Sequence, residues 1–240
     1  MVDLYDGEDA KKIISTGVGE IDRKLGGGIP PGSFILVEGQ SGAGKSVLCQ
    51  QIMWGSVNEG HTVALFTTEN TVRSLLSQME SLNLDVLPYL LMCWMSVYPV
   101  RMTTKDSTVI QGMLKTLSSG IRQQENYELV IVDSLTPFIT HSTTGQTVAF
   151  FEDCKTLCDK GVTIIVIVHT YSFTESELSR IRSMCDGNLR LRLEEMGQNL
   201  LKVMEVAKIR GATKSTGNIV SFDVEPGLGM RIIPVSKAQV

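Results

Sequence analysis

The sequence has no excess of positive charge. Its 22 Lys and Arg residues are outnumbered by 26 Asp and Glu, and the formal net charge at pH 7 is −4. A basic surface attracts nucleic acid and anionic lipid, because the summed field of the molecule acts on their phosphates. The composition provides no such field, so only a local basic groove would favour a polyanionic partner.

Cys-x-x-Cys pairs are also absent. The five cysteines are odd in number, and none forms the Cys-x-x-Cys pair that is typical of zinc sites and redox motifs. Cys154 and Cys158 are four residues apart and would share one helix face, but the sequence supplies no further metal ligands beside them. We interpret the cysteines as core residues of a protein in a reducing compartment.

No uninterrupted hydrophobic run is long enough for a transmembrane helix. The most apolar stretch, from Leu84 to Val100, contains an aspartate and two prolines, whereas a membrane span needs about 20 apolar residues. No signal peptide opens the chain, and no linker, repeat or low-complexity block divides it. We expect one cytoplasmic domain over residues 1–240, with a loose polar lead-in at residues 1–12.

A glycine-rich motif is the strongest positive signal. The run from Gly39 to Ser46 matches the phosphate-binding P-loop pattern, and it lies between an apolar strand-like run and a segment with helical spacing. Its glycines allow backbone N–H groups to converge on phosphate oxygens, and the helix start adds further donors. Lys45 is expected to reach the β- and γ-phosphates, and Ser46 to ligate Mg²⁺. The predicted nucleotide-binding residues are Gly39, Gln40, Ser41, Gly42, Ala43, Gly44, Lys45, Ser46 and Val47.

Two further residues follow strand-like runs. The run from Leu129 ends in Asp133, and open α/β sheets place their ligands at the carboxyl ends of their strands. Asp133 is therefore predicted to hold Mg²⁺ through Ser46 or a bound water. His169 follows the β-branched run from Thr163 to Val168, either as a sensor near the γ-phosphate or as a hydrogen-bonded histidine at the rim.

The hydrophobic patterns predict an α/β fold with a mostly parallel central sheet flanked by helices and with C-terminal antiparallel hairpins. Predicted strands cover residues 62–68, 90–97, 129–133 and 163–168, predicted helices cover residues 19–25, 108–124 and 147–159, and a further helix is capped by Thr71. The hairpins cover residues 189–205 and 219–234. In the first hairpin Arg190 and Arg192 share one face, which is either solvated or a contact surface.

Together these residues resemble the RecA-like P-loop ATPases of the KaiC type. The resemblance runs almost end to end and rests on segments that begin with Ser15-Thr16-Gly17 and Asp22, and end with Lys208-x-Arg210-Gly211. Between them lie the three glycines 26–28, the P-loop, the strand that ends at Glu69-Asn70, and Asp133. Within this group the single domain resembles the accessory ATP-binding proteins of the archaeal flagellar (archaellum) motor.

The resemblance implies catalytic roles for three residues. Glu69 matches the first of two glutamates that activate the attacking water, but Asn70 replaces the second, so we expect slow or no hydrolysis. Lys208 and Arg210 match cations that reach a neighbour's γ-phosphate in ATP-bridged hexameric rings. The alternative for this pair is the solubilising charge of an exposed strand.

The implied function is that of an ATP·Mg²⁺-binding assembly or regulatory subunit of the archaellum motor. Such a subunit would form a homo-hexamer and would dock on the motor's ring or scaffold protein and its secretion-type ATPase. It would lie in the cytoplasm or reach the membrane periphery through the motor complex.

Two alternatives belong to other classes. A RecA-type DNA recombination or repair ATPase would bind DNA through loops near residues 141–147 and 171–187. The first loop has no Lys or Arg, and the second has only two Arg against three acidic residues, which argues against phosphate binding. A clock-like autokinase would carry two such domains in tandem, whereas this sequence contains one.

Overall fold

The structure is a computed structural model, and it describes residues 12–101, 107–124, 126–196, 199–214, 216 and 218–233. Most of the lead-in predicted at residues 1–12 lies outside these ranges, as do residues 197–198 of the turn in the first hairpin and residue 234 at the end of the second. The side chains of residues 107–111, 196 and 199 are likewise not described.

Within the described ranges, nine strands form one sheet in the order β3-β2-β4-β5-β1-β6-β7-β8-β9. The strands are β1 Phe34–Gly39, β2 Val63–Thr67, β3 Met95–Pro99, β4 Leu129–Asp133, β5 Thr163–His169, β6 Gly187–Met196, β7 Asn199–Ile209, β8 Ile219–Glu225 and β9 Gly229–Ile233. Pairing is parallel from β3 through to β6 and antiparallel from β6 to β9. The expectation of a mostly parallel sheet with C-terminal antiparallel hairpins is confirmed.

Helices cover both faces of the parallel half. They are α1 Gly19–Lys24, α2 Lys45–Asn58, α3 Val72–Ser81, α4 Leu87–Leu91, α5 Ser107–Arg122, α6 Thr136–Ile139, α7 Thr144–Asp159 and α8 Glu175–Met184. The strands alternate their side chains between two cores: Ile35 and Val37 of β1 face the first, and Phe34 and Leu36 face the second. Because β1 is buried on both faces, its end is a rigid support for the loop that follows.

Three expectations need correction. Residues 90–97 were expected to form one strand, but Pro88 in the first turn begins α4, and β3 starts only at Met95. The α7 helix begins before the expected residue 147, because the side chain of Thr143 caps it by accepting a hydrogen bond from the N–H of Gln146. The cysteines were expected in the core; four are buried, but Cys93 is exposed.

The P-loop helix packs very closely against the segment that precedes α1. A Cβ atom on Gly55 of α2 would lie 2.3 Å from both the backbone N of Gly17 and the carbonyl C of Thr16. Gly17 itself has φ +73°, and a Cβ there would lie 2.7 Å from the ring of Trp54. Two facing glycines therefore allow the backbones to meet where no other residue pair would fit.

We predict that Gly55→Ala lowers the free energy of unfolding by about 1–3 kcal/mol or more, because the added methyl group has only rigid backbone to displace. Gly112→Ala is the matched control in α5, where a Cβ meets nothing within 4 Å. It should raise stability by about 0.5–1 kcal/mol through helix propensity. Urea unfolding midpoints, compared at an unchanged m-value, measure the stability of both variants. A midpoint for Gly55→Ala equal to that of the wild type would contradict the close contact.

Candidate nucleotide-binding site

The carboxyl ends of four parallel strands bring the predicted site residues to one edge of the sheet. Gly39 at the end of β1 is level with His169 at the end of β5, and Thr67 of β2 is level with Asp133 of β4. Glu69 follows β2 by two residues. This edge is where open α/β sheets bind ligands.

A cavity of about 340 Å³ lies at this edge. It is lined by Ser41, Gly42, Gly44, Lys45, Ser46, Val47, Glu69, His169, Lys202 and Val224. Larger cavities of about 370 and 380 Å³ lie elsewhere, beside α7, but the P-loop lines neither of them. The candidate site is therefore chosen by its lining residues rather than by its volume.

The P-loop has the backbone geometry that phosphate binding requires. Gly42 and Gly44 have φ +77° and +91°, values that favour glycine, and α2 begins at Lys45 immediately after them. The ammonium of Lys45 donates to the carbonyl oxygen of Gln40 at 2.7 Å. Burial lowers the pKa of Lys45, against the attraction of Glu69 and Asp133. The loop thus holds a cation over a cradle of backbone donors.

Ser46 and Asp133, the two predicted metal ligands, lie in contact. The hydroxyl of Ser46 donates to Oδ1 of Asp133 at 3.3 Å, and Asp133 is only 5% exposed. Burial, with the repulsion of Glu69, raises the pKa of Asp133 to about 7, despite the hydrogen bond from Ser46 and the attraction of Lys45. A cation such as Mg²⁺, which binds oxygen ligands, would offset the cost of burying this carboxylate in its charged form. The peptide bond between Asp133 and Ser134 is cis.

Glu69 and Asn70, the second and third residues after β2, have different surroundings. Glu69 lines the cavity. The side chain of Asn70 is held by α3 instead, because its Oδ1 accepts from the hydroxyl of Ser74 at 3.1 Å and from the amide of Gln78 at 2.9 Å. The residue at the second glutamate position therefore belongs to the start of a helix.

His169 lies at the expected edge of the sheet, and its hydrogen bonds match the description of a rim histidine. It lines the cavity, and its backbone N–H and Nδ1 lie 2.8 and 3.3 Å from the hydroxyl of Thr136. Its ring stacks on Tyr171 with a centroid distance of 5.4 Å. Burial and the nearby Lys45 lower its pKa, which favours the neutral imidazole. Its role as a sensor stays a prediction.

The antiparallel half of the sheet contributes residues that sequence reasoning missed. Lys202 of β7 and Val224 of β8 line the cavity, and the ammonium of Lys202 lies 3.2 Å from Asp223. A Cβ on Gly44 would lie 3.0 Å from the ring of Phe222. The strand pair β7–β8 therefore lies directly against the P-loop. No local pattern could show this contact, because the two parts are far apart in sequence.

Glu38 is a second residue that the sequence analysis overlooked. It directly precedes the P-loop, is 1% exposed, and its carboxylate accepts from Arg182 at 2.7 and 2.8 Å, from Asn188 at 2.8 Å and from Arg190 at 3.3 Å. Burial opposes its ionisation, but the hydrogen bonds from Arg182 and Asn188 outweigh it and lower the pKa. The sequence signal for this role was a charged residue, Glu38, at the end of the apolar run of β1.

Arg190 and Arg192 have internal partners, although their side chains remain 41% and 38% exposed. Each forms an ion pair with Glu205 of β7, at 3.3 and 3.1 Å. Arg190 also reaches Glu38, as described above, and Arg192 lies 2.7 Å from Glu194. This face of the hairpin is an ion-pair network fixed at one end by a buried carboxylate.

Lys208 and Arg210 lie away from the P-loop of their own chain. Lys208 is level with Asn188, which is level with Leu36 in the middle of β1. Its half-buried ammonium donates to the carbonyl oxygens of Arg182 and Cys185 at the end of α8. Burial and the repulsion of Arg210 lower the pKa of Lys208. Lys208 is therefore not the exposed charge that the sequence suggested.

Arg210 is 60% exposed and lies 3.6 Å from the carboxylate of Asp186. The strand residue before it, Ile209, is level with Gly187 and so with Ile35. At about 3.3 Å per residue, this separates Arg210 from Gly39 by on the order of 13 Å or more along the strand direction. The two cations do not join the cavity of their own chain.

Among the described residues, no helix has both the length and the apolar character needed to cross a membrane.

A nine-stranded, mostly parallel sheet with a glycine-rich loop between β1 and α2 defines a RecA-like P-loop protein. The model of the KaiC ATPase family matches residues 14–237. The archaeal flagellar ATP-binding protein FlaH of Sulfolobus acidocaldarius is 33% identical over 93% of this chain and 98% of its own length.

Two solved structures support the fold. The flagellar accessory protein FlaH of Methanocaldococcus jannaschii superposes with a TM-score of 0.79 at 26% identity, over 90% of this chain and 96% of that one. A KaiC-like protein of Pyrococcus horikoshii has a TM-score of 0.73 at 19% identity, over 93% and 99% of the two chains. This chain belongs to the KaiC family of ATPases and, within it, to the archaeal flagellar ATP-binding proteins FlaH.

Proposed function

We propose that this chain is an ATP·Mg²⁺-binding assembly and regulatory subunit of the archaellum motor. The observation that carries the proposal is the contact between Ser46 and Asp133, because Ser46 lines one cavity with Lys45 and with the P-loop glycines Gly42 and Gly44. Membership of the FlaH family supports the link to the motor. The subunit would work in the cytoplasm, at the membrane periphery where the motor's ring or scaffold protein and its secretion-type ATPase lie.

The site residues fit the nucleotide and the metal in complementary ways. Lys45 and the N–H groups of residues 39–47 would hold the phosphates, since a cation and backbone donors at a helix N-terminus attract phosphate oxygens. Ser46 and the buried Asp133 would hold Mg²⁺, which when bound neutralises phosphate charge. Glu69 lines the same cavity and is the candidate base that orients water.

A ring of subunits explains the position of Lys208 and Arg210. Because both lie away from the P-loop edge of their own sheet, any γ-phosphate they contact belongs to another copy. Arg210 is exposed and free to turn outward from Asp186, whereas Lys208 would have to leave two carbonyl oxygens. We therefore propose Arg210 as the main bridging cation in a homo-hexamer.

The contacts of the second candidate DNA loop, residues 171–187, weigh against a recombinase. Of the two arginines in the second loop, Arg182 is engaged by Glu38 and by Glu175. Arg180 is exposed, but Glu177 lies beside it on the same cavity. One cation beside carboxylates gives little attraction for a phosphate backbone.

We predict that Lys45→Ala abolishes measurable ATP binding and that Asp133→Asn weakens it only when Mg²⁺ is present. In EDTA the Asn variant should bind at least as tightly as the wild type, because a carboxylate that repels phosphate has been removed. Titration with a fluorescent ATP analogue measures both, and Lys115→Ala on the exposed face of α5 is the control. Wild-type affinity in Lys45→Ala would refute the site.

We predict slow hydrolysis, well below the ~10 per second typical of enzymes. The missing second carboxylate and an incomplete ring should each cost on the order of 10²–10³ in rate. Phosphate release is measured at concentrations where oligomers form. Glu69→Gln should remove the residual rate, because it removes the candidate base. Wild-type turnover near ~10 per second would show that the idea is wrong.

The last prediction for this function concerns assembly. Arg210→Ala should leave the fold intact, since its exposed ion pair contributes about 0–1 kcal/mol, and should abolish ATP-dependent oligomers while sparing ATP binding. Light scattering with ATP, with ADP and without nucleotide tests it, with Arg122→Ala on α5 as an exposed arginine control. If Arg210→Ala still forms ATP-dependent rings, Arg210 does not bridge subunits and is only a surface charge.

A further inference from the structure

The uncharged stretch between Asp85 and Arg101 forms an exposed apolar surface. None of the residues of α4, all of which the structure describes, is buried. The exposed fractions are 49% for Leu87, 76% for Leu91, 53% for Met92 and 42% for Trp94. We call these four residues, with the exposed Cys93, the α4 surface. Four large apolar side chains exposed so close together in the chain exceed the scattered single residues that are normal on a protein surface, and they indicate a binding site.

The α4 surface adjoins a cavity of about 340 Å³ between α3 and α4. Its apolar lining comes from Leu76, Leu84, Val86 and Leu87, and Leu87 is thus shared by the cavity and the α4 surface. Leu87 and Leu91 are one helical turn apart, so they lie on one face of α4. An apolar cavity therefore lies beside exposed leucines, and this arrangement suits the apolar face of a helix.

Carboxylates border this surface. Glu80 and Asp85 line the cavity. Tyr89 of α4 donates to the side chain of Asn58 at 2.7 Å, which brings the end of α2, with the exposed Glu59, beside α4. An acidic border repels anionic lipid and favours a partner with Lys or Arg around its apolar residues.

We propose that the α4 surface and its cavity bind an amphipathic helical segment of a partner protein, with apolar residues on one face and Lys or Arg on its flanks. Residues 1–11 of this chain do not meet that description, because they carry four acidic residues against one lysine. None of the residues of the α4 surface lines the P-loop cavity. The proposal therefore stands independently of nucleotide binding.

Cys93 provides a direct probe of occupancy. Of the five cysteines, all within the described ranges, it alone is exposed, and burial raises the pKa of each of the other four. A maleimide should therefore label Cys93 selectively, since the thiolate is the reactive form. The test peptide is a helix of about 14 residues with Leu along one face and Lys elsewhere. One control peptide replaces Lys by Glu, and another scrambles the Leu positions.

The Leu/Lys peptide should slow the labelling of Cys93 in a saturable manner, measured by mass spectrometry, and both control peptides should leave it unchanged. Leu87→Ser/Leu91→Ser should weaken peptide binding by about tenfold or more, as expected for lost apolar contact. Leu91→Lys, at the most exposed position, serves if the double variant does not fold. Ile219→Ser, at an exposed apolar residue on β8, is the matched control and should bind like the wild type.

Four results would overturn the proposal. The Glu or scrambled peptide could protect Cys93 as well as the Lys peptide does, or the α4 variants could bind it with wild-type affinity. Protection by anionic phospholipid vesicles but not by the peptide would identify a lipid-binding face. Protection that grows with protein concentration, together with dimers in light scattering that Leu91→Lys removes, would identify a second copy as the occupant.

Discussion

The buried carboxylate of Glu38 connects the P-loop strand β1 to α8 and β6. It is almost completely buried in β1 and is compensated by Arg182 of α8 and by Asn188 and Arg190 of β6. Removing one partner of a buried ion pair commonly costs about 3–5 kcal/mol, because the remaining charge has nothing to offset it. The position of α8 and of the hairpin β6–β7 is therefore fixed relative to the strand that presents the phosphate-binding loop.

The parallel half of the fold and the P-loop were predictable because their signals are local. Apolar runs locate β1, β2, β4 and β5, and the glycine pattern locates the loop between β1 and α2. Side chains at the carboxyl ends of parallel strands must share one edge, so the sequence alone places Asp133 and His169 beside Lys45. The prediction of a strand at residues 90–97 was wrong because a continuous apolar run does not distinguish a strand from a helix. Here Pro88 lies in the first turn of a helix instead.

The remaining parts depend on contacts between distant segments. Lys202 and Val224 reach the cavity only because β7 and β8 fold back over the P-loop, and nothing near residue 202 indicates it. The carbonyl oxygens that hold Lys208 belong to the end of α8, so its burial was invisible in a strand that alternates normally. Asn70 illustrates the same limit, since its position is a sequence fact but its attachment to Ser74 and Gln78 is a tertiary one.

The cavity lies at the junction of the two halves of the sheet: α2 and the P-loop belong to the parallel half, and Lys202 and Val224 to the antiparallel half. A nucleotide held there would touch both halves and act as a non-covalent cross-link between them. Opening of the β7–β9 layer would then require release of the ligand, so backbone amides in β8 should exchange more slowly with deuterium as nucleotide concentration rises. Nucleotide occupancy would thus set how readily the two halves of the sheet separate.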